Sequence, residues 1–213
     1  MTDRDDKAYL QPYTEAVKQF GAGFEATLWN NPAAQRLRFD VMIDLAGIRD
    51  ARVLDVGCGP GDLAARLLER EIPFTGYVGI DAMPEMIEAA ARRDLPGCRF
   101  VAGDAVADPA LLSTGDPDYT CISGTLNTMD DETAQKLVAD AFAASAEAVV
   151  FNFLSTRHHP RFAGRDTAPA RRRDPVAWLD FALGLSSRVA FTQAYLDGHD
   201  ATIMVGKGDW RSF

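Results

Sequence analysis

A chain of 213 residues with 47% hydrophobic side chains can fill a real core and reads as one domain. Its formal net charge of −9 argues against nucleic-acid backbones and anionic membranes as partners, because both are held largely by clustered Lys and Arg. Cys58, Cys98 and Cys121 are odd in number and lack C-x-x-C spacing, which excludes a disulfide framework or zinc site; with a charged N-terminus and no apolar run near the roughly 20 residues of a membrane span, a cytoplasmic location follows.

The first helical pattern covers residues 7–20, with Tyr9, Tyr13, Val17 and Phe20 on one face and Gly21 and Gly23 beyond it. A second opens at Asn30 or Asn31 as cap, with Pro32 in the first turn, and stops at Gly47. From residue 51 strands are predicted at 51–56, 76–80, 98–102, 118–122 and 147–153, alternating with helices near 61–71, 84–93 and 131–144. Such alternation means a doubly wound α/β fold with a mostly parallel sheet covered on both faces. RVAFTQAYLDGHDATIMVG (188–206) then reads as two strands joined around Asp197 and Gly198, an antiparallel hairpin that completes seven strands. Between them, STRHHPRFAGRDTAPARRRDP (155–175) is long and irregular, as functional or disordered loops are.

VLDVGCGPGDL (53–63) carries glycines 57, 59 and 61 directly after the first strand, a common place for a nucleotide-like ligand. A dinucleotide fingerprint needs its third glycine at 62, where Asp62 stands, and a P-loop needs a G-K-[S/T] that is missing. The pattern of Asp55, Gly57, Gly59 and Gly61 resembles motif I of the class I S-adenosylmethionine-dependent methyltransferases. YVGIDAMPEMIEAA (77–90), FVAGDAV (100–106) and DYTCISGTLN (118–127) resemble the motifs after that family's next strands, and LWNNPAAQRLRF (28–39) the segment before motif I in small bacterial methyltransferase-domain proteins. The resemblance implies a Rossmann-like core over 48–213 with a helical lid over 1–47.

It also implies roles. S-adenosylmethionine has no phosphate and needs a bare backbone, which the glycines provide. Asp81 would accept from the ribose hydroxyls and Asp104 from the adenine amine, with the Ala105 amide facing the ring; Asp55 would lie at the methionine end, Ala82 and Met83 on the adenine, and Ser123 would also belong to the donor site. Singly, Asp81 or Asp104 is a turn or helix cap; their order after the glycine loop favours the ligand. Cys58 and Cys121 read as small buried packers.

Methyl transfer from a sulfonium needs positioning first, and a general base where the acceptor arrives protonated. The acceptor would lie past the fourth strand, at Ser123 to Asn127. That segment lacks the [DNS]-P-P-[YF] of DNA amino-methyltransferases, which points to a small-molecule oxygen or nitrogen acceptor rather than nucleic acid. Asn127 is a candidate for binding acceptor or methionine carboxylate, against an Asx turn leaving the strand. Tyr13, with Tyr9 and Phe20, is a lid candidate, against simple core packing. His158 and His159, among six arginines in 155–175, are candidates for acceptor binding over an anionic substrate, with His158 as base, against a solvated loop. His199 reads as a solvent-facing hairpin residue. A non-catalytic S-adenosylmethionine-binding module remains the alternative, and an NAD-linked enzyme a weaker third.

Overall fold

A computed structural model describes residues 7–29 and 31–208; Asn30, one of the two cap candidates, lies outside them. After a single 3-10 turn at Ala8–Leu10 comes α1 (Gln11–Phe20), and after another at Phe24–Thr27 comes α2 (Pro32–Ala46). Asn31 caps α2 by accepting from the Ala33 N–H at 2.8 Å, Pro32 fits the first turn, and Gly47 ends the helix in the left-handed conformation.

The core follows as β1 (Ala51–Val56), α3 (Asp62–Glu69), β2 (Phe74–Asp81), α4 (Pro84–Arg92), β3 (Cys98–Ala102), β4 (Tyr119–Ile122), α5 (Asp131–Ala144) and β5 (Ala148–Ser155). It closes with β6 (Arg172–Arg173), α6 (Pro175–Leu185), β7 (Val189–Thr192) and β8 (Asp200–Gly206). The strands form one sheet in the order β3-β2-β1-β4-β5-β8-β7, parallel except for the antiparallel β8, which pairs β5 from Ala148↔Gly206 to Leu154↔Asp200 and carries β7 on its far side. The expected α/β class, the terminal antiparallel pair and the two N-terminal helices are all present.

Three details differ from expectation. Residues 155–175 contain the two-residue strand β6, paired with the end of β5, so the sheet has eight strands. Asp174 caps an unpredicted helix, α6, by accepting from the Val176 N–H, with Pro175 in its first turn. The hairpin turn spans 193–199 and is not tight; Asp197 and Gly198 both take positive φ within it.

Alternation along β1 explains the layers. Leu54 and Val56 face one core with Ile80, Ile122, Phe151 and the α5 and α6 side chains, while Val53 faces the other with Tyr77, Val150 and the α2 and α3 side chains. Every residue of β5 and β8 is buried, as central strands under two helical layers must be. The chain runs outward from β1 to β3 and returns to β4 on the other side of β1, which opens a crevice beyond the carboxyl ends of β1 and β4.

Trp178 of α6, 1% exposed, packs its ring 5.6 Å from Phe151 and 5.3 Å from Phe153. Trp178→Ala should therefore cost roughly 3–5 kcal/mol, read as a lower urea midpoint. A loss under about 1 kcal/mol would mean that α6 is not part of the cooperative core.

Candidate active site

The crevice opens into a cavity of about 1020 Å³ that spans the carboxyl ends of the sheet from β3 to the start of β8. Its wall includes Asp55, Gly57, Gly59, Asp81, Ala82, Met83, Asp104, Ala105, Ser123, Tyr13 and Asn127. Eleven positions singled out in the sequence are thus brought to one hollow. Gly61, His158 and His159 are not part of that wall.

Asp81 organises the β1 and β2 ends. Its carboxylate accepts from the Gly59 N–H at 2.9 Å and the Met83 N–H at 2.8 Å, so one side chain at the end of β2 holds both the glycine loop and the entry to α4. Burial raises its pKa, and those two backbone donors oppose the rise. Gly57 has φ +75°, and a Cβ there would stand 2.0 Å from Thr125 Oγ1, whose hydroxyl donates to the Val56 carbonyl at 2.8 Å. The side chain is missing at 57 because the loop after β4 fills its place. Gly59, φ +53°, has only the Thr27 methyl within 4 Å and leaves backbone bare toward the cavity.

Asp55 is buried and accepts from the Tyr77 hydroxyl at 2.5 Å. Burial pushes its pKa up to about 7, with the nearby carboxylates of Asp81 and Asp62 adding to the rise against the Tyr77 hydrogen bond. Asp104 forms an Asx turn, accepting from the Val106 and Ala107 N–H groups, and also accepts from the Tyr9 hydroxyl at 2.8 Å. The N-terminal segment therefore reaches across to the β3 end. Tyr13 stands beside it, its hydroxyl 3.4 Å from the Gly124 carbonyl and its pKa pushed up to about 12 by burial. Asp62 is tied to Arg93 at 2.7 Å and contributes a first-turn carboxylate to α3, and Cys58 is buried with its thiol pKa pushed well up.

The far half of the cavity is built from residues that motif reasoning does not single out. Asn152 of β5, 1% exposed, accepts from the Gly124 N–H and donates to Ser123 Oγ, fixing the turn after β4. Trp29 packs against Gly124, where a Cβ would meet its ring at 2.5 Å, and Arg38 of α2 lies over the indole, 4.4 Å from the ring centroid. Arg38 makes two hydrogen bonds to Asp200, at 2.7 and 2.6 Å, and both residues are buried. His199 Nδ1 lies 2.8 Å from the same carboxylate.

The histidine placement differs from expectation. His199, expected in solvent, lines the cavity with its side chain 19% exposed, because Asp200 is the first residue of β8 and draws the ring inward. His158 instead turns its Nδ1 to the His159 carbonyl, and the His159 ring accepts from the Arg161 N–H as a cap of the 3-10 turn Pro160–Phe162. The arginine island is also largely structural. Arg157 pairs with Asp174, Arg172 donates to the Ser155 carbonyl, and Arg173 is buried, bonding Asp131 and the Leu126 and Met129 carbonyls. Only Arg161 and Arg165 reach the cavity, both stacked over the Phe162 ring. Asn127 lines the cavity and holds the loop through its carbonyl, which accepts from the Arg171 N–H, while its buried Oδ1 has no hydrogen-bond partner among the described residues.

Residues 53–147 match the family model described as a methyltransferase domain. The chain is 40% identical over 104 residues to a trans-aconitate 2-methyltransferase of Enterobacter sp. (strain 638), covering 49% of this chain and 33% of that protein. It is 35% identical over 85 residues to the enzyme of that name from Klebsiella pneumoniae (strain 342), covering 39% and 33%. The matched stretch thus spans about a third of these curated relatives' length. Among solved structures it resembles the methyltransferase domain of bacterial CtHen1 (TM-score 0.64, 17% identity, 83% of this chain and 100% of that one). It also resembles magnesium protoporphyrin IX methyltransferase from Synechocystis PCC 6803 with bound SAH (TM-score 0.63, 14% identity, 97% of each chain). At these identities the likeness is one of fold.

Gly57→Ala should lower stability by about 1–2 kcal/mol from the left-handed backbone alone, with more from the displaced Thr125. Adding Thr125→Ala should recover only the steric part. Full recovery in denaturant unfolding would show that the backbone angle at 57 carries no penalty.

Proposed function

We propose that this chain, whose residues 53–147 belong to the methyltransferase-domain family in a Rossmann-like class I fold, transfers a methyl group from S-adenosylmethionine to an oxygen or nitrogen of a small, anionic acceptor. The observation that carries the reading is the single cavity that joins the glycine loop and the Asp55, Asp81 and Asp104 carboxylates to a second, arginine-rimmed half. When bound, the donor supplies a methyl already activated on a sulfonium. The residues present suit it: bare backbone at Gly59, a carboxylate at Asp81 with lone pairs left for hydroxyl donors, and the buried Asp55 for an ammonium.

The protein's own work is positioning and exclusion of water. Tyr9, Tyr13 and Trp29 wall the hollow from the N-terminal side, which supports a lid reading for the segment before α2 only; α2 itself packs in the core, with Phe39, Met42 and Ile43 buried against the sheet. Arg161 and Arg165 rim the acceptor half and favour an anion, in keeping with the acid in the name of the trans-aconitate 2-methyltransferases. Three unpaired cysteines suit a reducing, cytoplasmic setting. The net charge of −9 and the small share of the arginine island that is free speak against nucleic acid.

Calorimetry with S-adenosylhomocysteine and with NAD tests the donor: binding of NAD alone would end the reading. Labelled methyl from S-adenosylmethionine, offered to a fractionated metabolite extract, tests the enzyme; donor binding with no transfer to any small-molecule fraction would leave a binding module. Asp81→Ala should weaken S-adenosylhomocysteine at least tenfold, about 1.4 kcal/mol, and unchanged affinity would remove its proposed role.

Asp55 makes affinity depend on pH. The folded carboxyl stays protonated to about pH 7, whereas the unfolded chain loses that proton near 3.8, so between these values folding stability falls as pH rises. A ligand ammonium favours the ionised form. Affinity for S-adenosylhomocysteine should therefore strengthen as pH rises from 6 through about 7 and level off above it, with proton release below 7. Asp55→Asn should flatten that slope, and a wild-type affinity that is flat over the range would exclude Asp55 from the ammonium site.

A further inference from the structure

We infer that His199, held by Asp200 and Arg38, is the general base of the acceptor half, and hence that the acceptor is a hydroxyl rather than an already ionised carboxylate. The inference rests on the methyl-transfer reading and deepens it.

The geometry starts at Asp200. Its carboxylate is 1% exposed; burial acts to raise its pKa, but hydrogen bonds from His199 and Arg38 outweigh that and hold it below the usual range. An ionised carboxylate only accepts, so the 2.8 Å contact requires the proton on His199 Nδ1. The lone pair of the neutral ring is then on Nε2, which has no protein partner among the described residues, on a ring that lines the cavity. Phe162 packs edge-on to the imidazole, centroids 4.5 Å apart, and fixes its plane.

The charged groups around the ring set its balance. Asp200 lies at one nitrogen with Arg38 behind it; Arg172 Nη1 is 3.5 Å from the His199 carbonyl; Arg161, paired with Asp197, and Arg165 stand over Phe162. Asp200 is the one carboxylate bonded to the imidazole, so an imidazolium formed there has a fixed counter-charge, while the Arg38 pairing keeps that carboxylate from swinging away.

Position decides what the base serves. The glycine loop and Asp81 sit at the β1 and β2 ends, and His199 at the start of β8, two strand positions beyond β4. At about 4.8 Å per strand that leaves roughly 10 Å between β4 and β8, room for a small acceptor. A carboxylate is ionised at neutral pH and requires no base, whereas a hydroxyl must lose its proton as it attacks. In that step His199 Nε2 takes the hydroxyl proton, the acceptor oxygen bonds the methyl carbon of the sulfonium donor, and the carbon–sulfur electron pair returns to sulfur. The imidazolium then releases its proton to water.

The test uses the full chain, with His199→Asn, whose amide can still donate to Asp200 and so keep the fold, and His199→Gln as a second variant. Long-range ¹⁵N imidazole spectra should show neutral His199 as the Nδ1–H tautomer; an Nε2–H tautomer overturns the proposal. Labelled methyl transfer to a metabolite extract, followed from pH 5.5 to 8.5, should change its pH profile in both variants and fall about 100-fold at pH 7, with S-adenosylhomocysteine affinity within twofold. The labelled product should resist mild alkali, as an ether does. Label in an alkali-labile methyl ester, or variants within threefold of wild type with the same pH profile, overturns the proposal and leaves methyl transfer standing. Wild-type protein that binds S-adenosylhomocysteine but labels nothing overturns methyl transfer, and this proposal with it.

Discussion

The buried pair between Arg38 and Asp200 joins residues 162 positions apart, one on the second N-terminal helix and one at the start of the antiparallel strand β8. Three residues of the far half of the cavity are tied to it in turn: Trp29 lies against the guanidinium, Gly124 against Trp29, and His199 against the carboxylate. Two charges out of water are tolerated only because the fork geometry satisfies both, and removing one partner from such a pair costs about 3–5 kcal/mol. A neutral apolar pair of the same volume would hold α2 to the sheet as well. It would not orient an imidazole, so the placement of a charged pair here carries information about the site as well as about stability.

On the donor side the same role falls to Asp81. One carboxylate bonded to Gly59 and Met83 makes the glycine loop and the start of α4 a single unit, while Thr125 occupies the place of a side chain at 57 and Phe100 approaches within 3.0 Å of the place of one at 61. The three glycines therefore have different reasons. Two are required by the protein's own packing and backbone angle, and Gly59 is the one whose missing side chain leaves open space. A glycine motif read only as ligand clearance credits the ligand with contacts that belong to the neighbouring strand's loop.

That distinction marks the limit of what sequence could reveal. Helix and strand periods, the caps at Asn31 and Gly47, and the acidic residues at the ends of the first three strands are local features, and they led to the correct fold class and to the half of the cavity wall at the β1 to β3 ends. The missed helix α6 has apolar residues on both faces, with Val176 and Leu183 exposed and Trp178 and Ala182 buried, so its period is faint; the Asp174-Pro175 start was the available signal. His199 was misplaced for another reason. The strand pattern puts it beside a turn, and only tertiary packing shows that the next residue, Asp200, meets an arginine from α2. His158 and His159, in the arginine-rich loop, had the stronger local appearance and the weaker position.

The cavity divides charge in a way that the chain's overall acidity conceals. Asp55, Asp81 and Asp104 gather at the β1 to β3 ends, and Arg161, Arg165 and His199 at the other end. For the proposed cationic donor and anionic acceptor, that gradient would sort the two before any specific contact forms. The two ends act over different ranges, because Asp55 is buried while Arg161 and Arg165 are exposed to a solvent whose salt screens beyond about 8 Å at physiological ionic strength. In the proposed function, donor recognition is thus built into the low-dielectric floor of the sheet. Acceptor recognition in that function divides between an exposed arginine rim, which guides approach, and the enclosed His199–Asp200–Arg38 group, which salt screens much less.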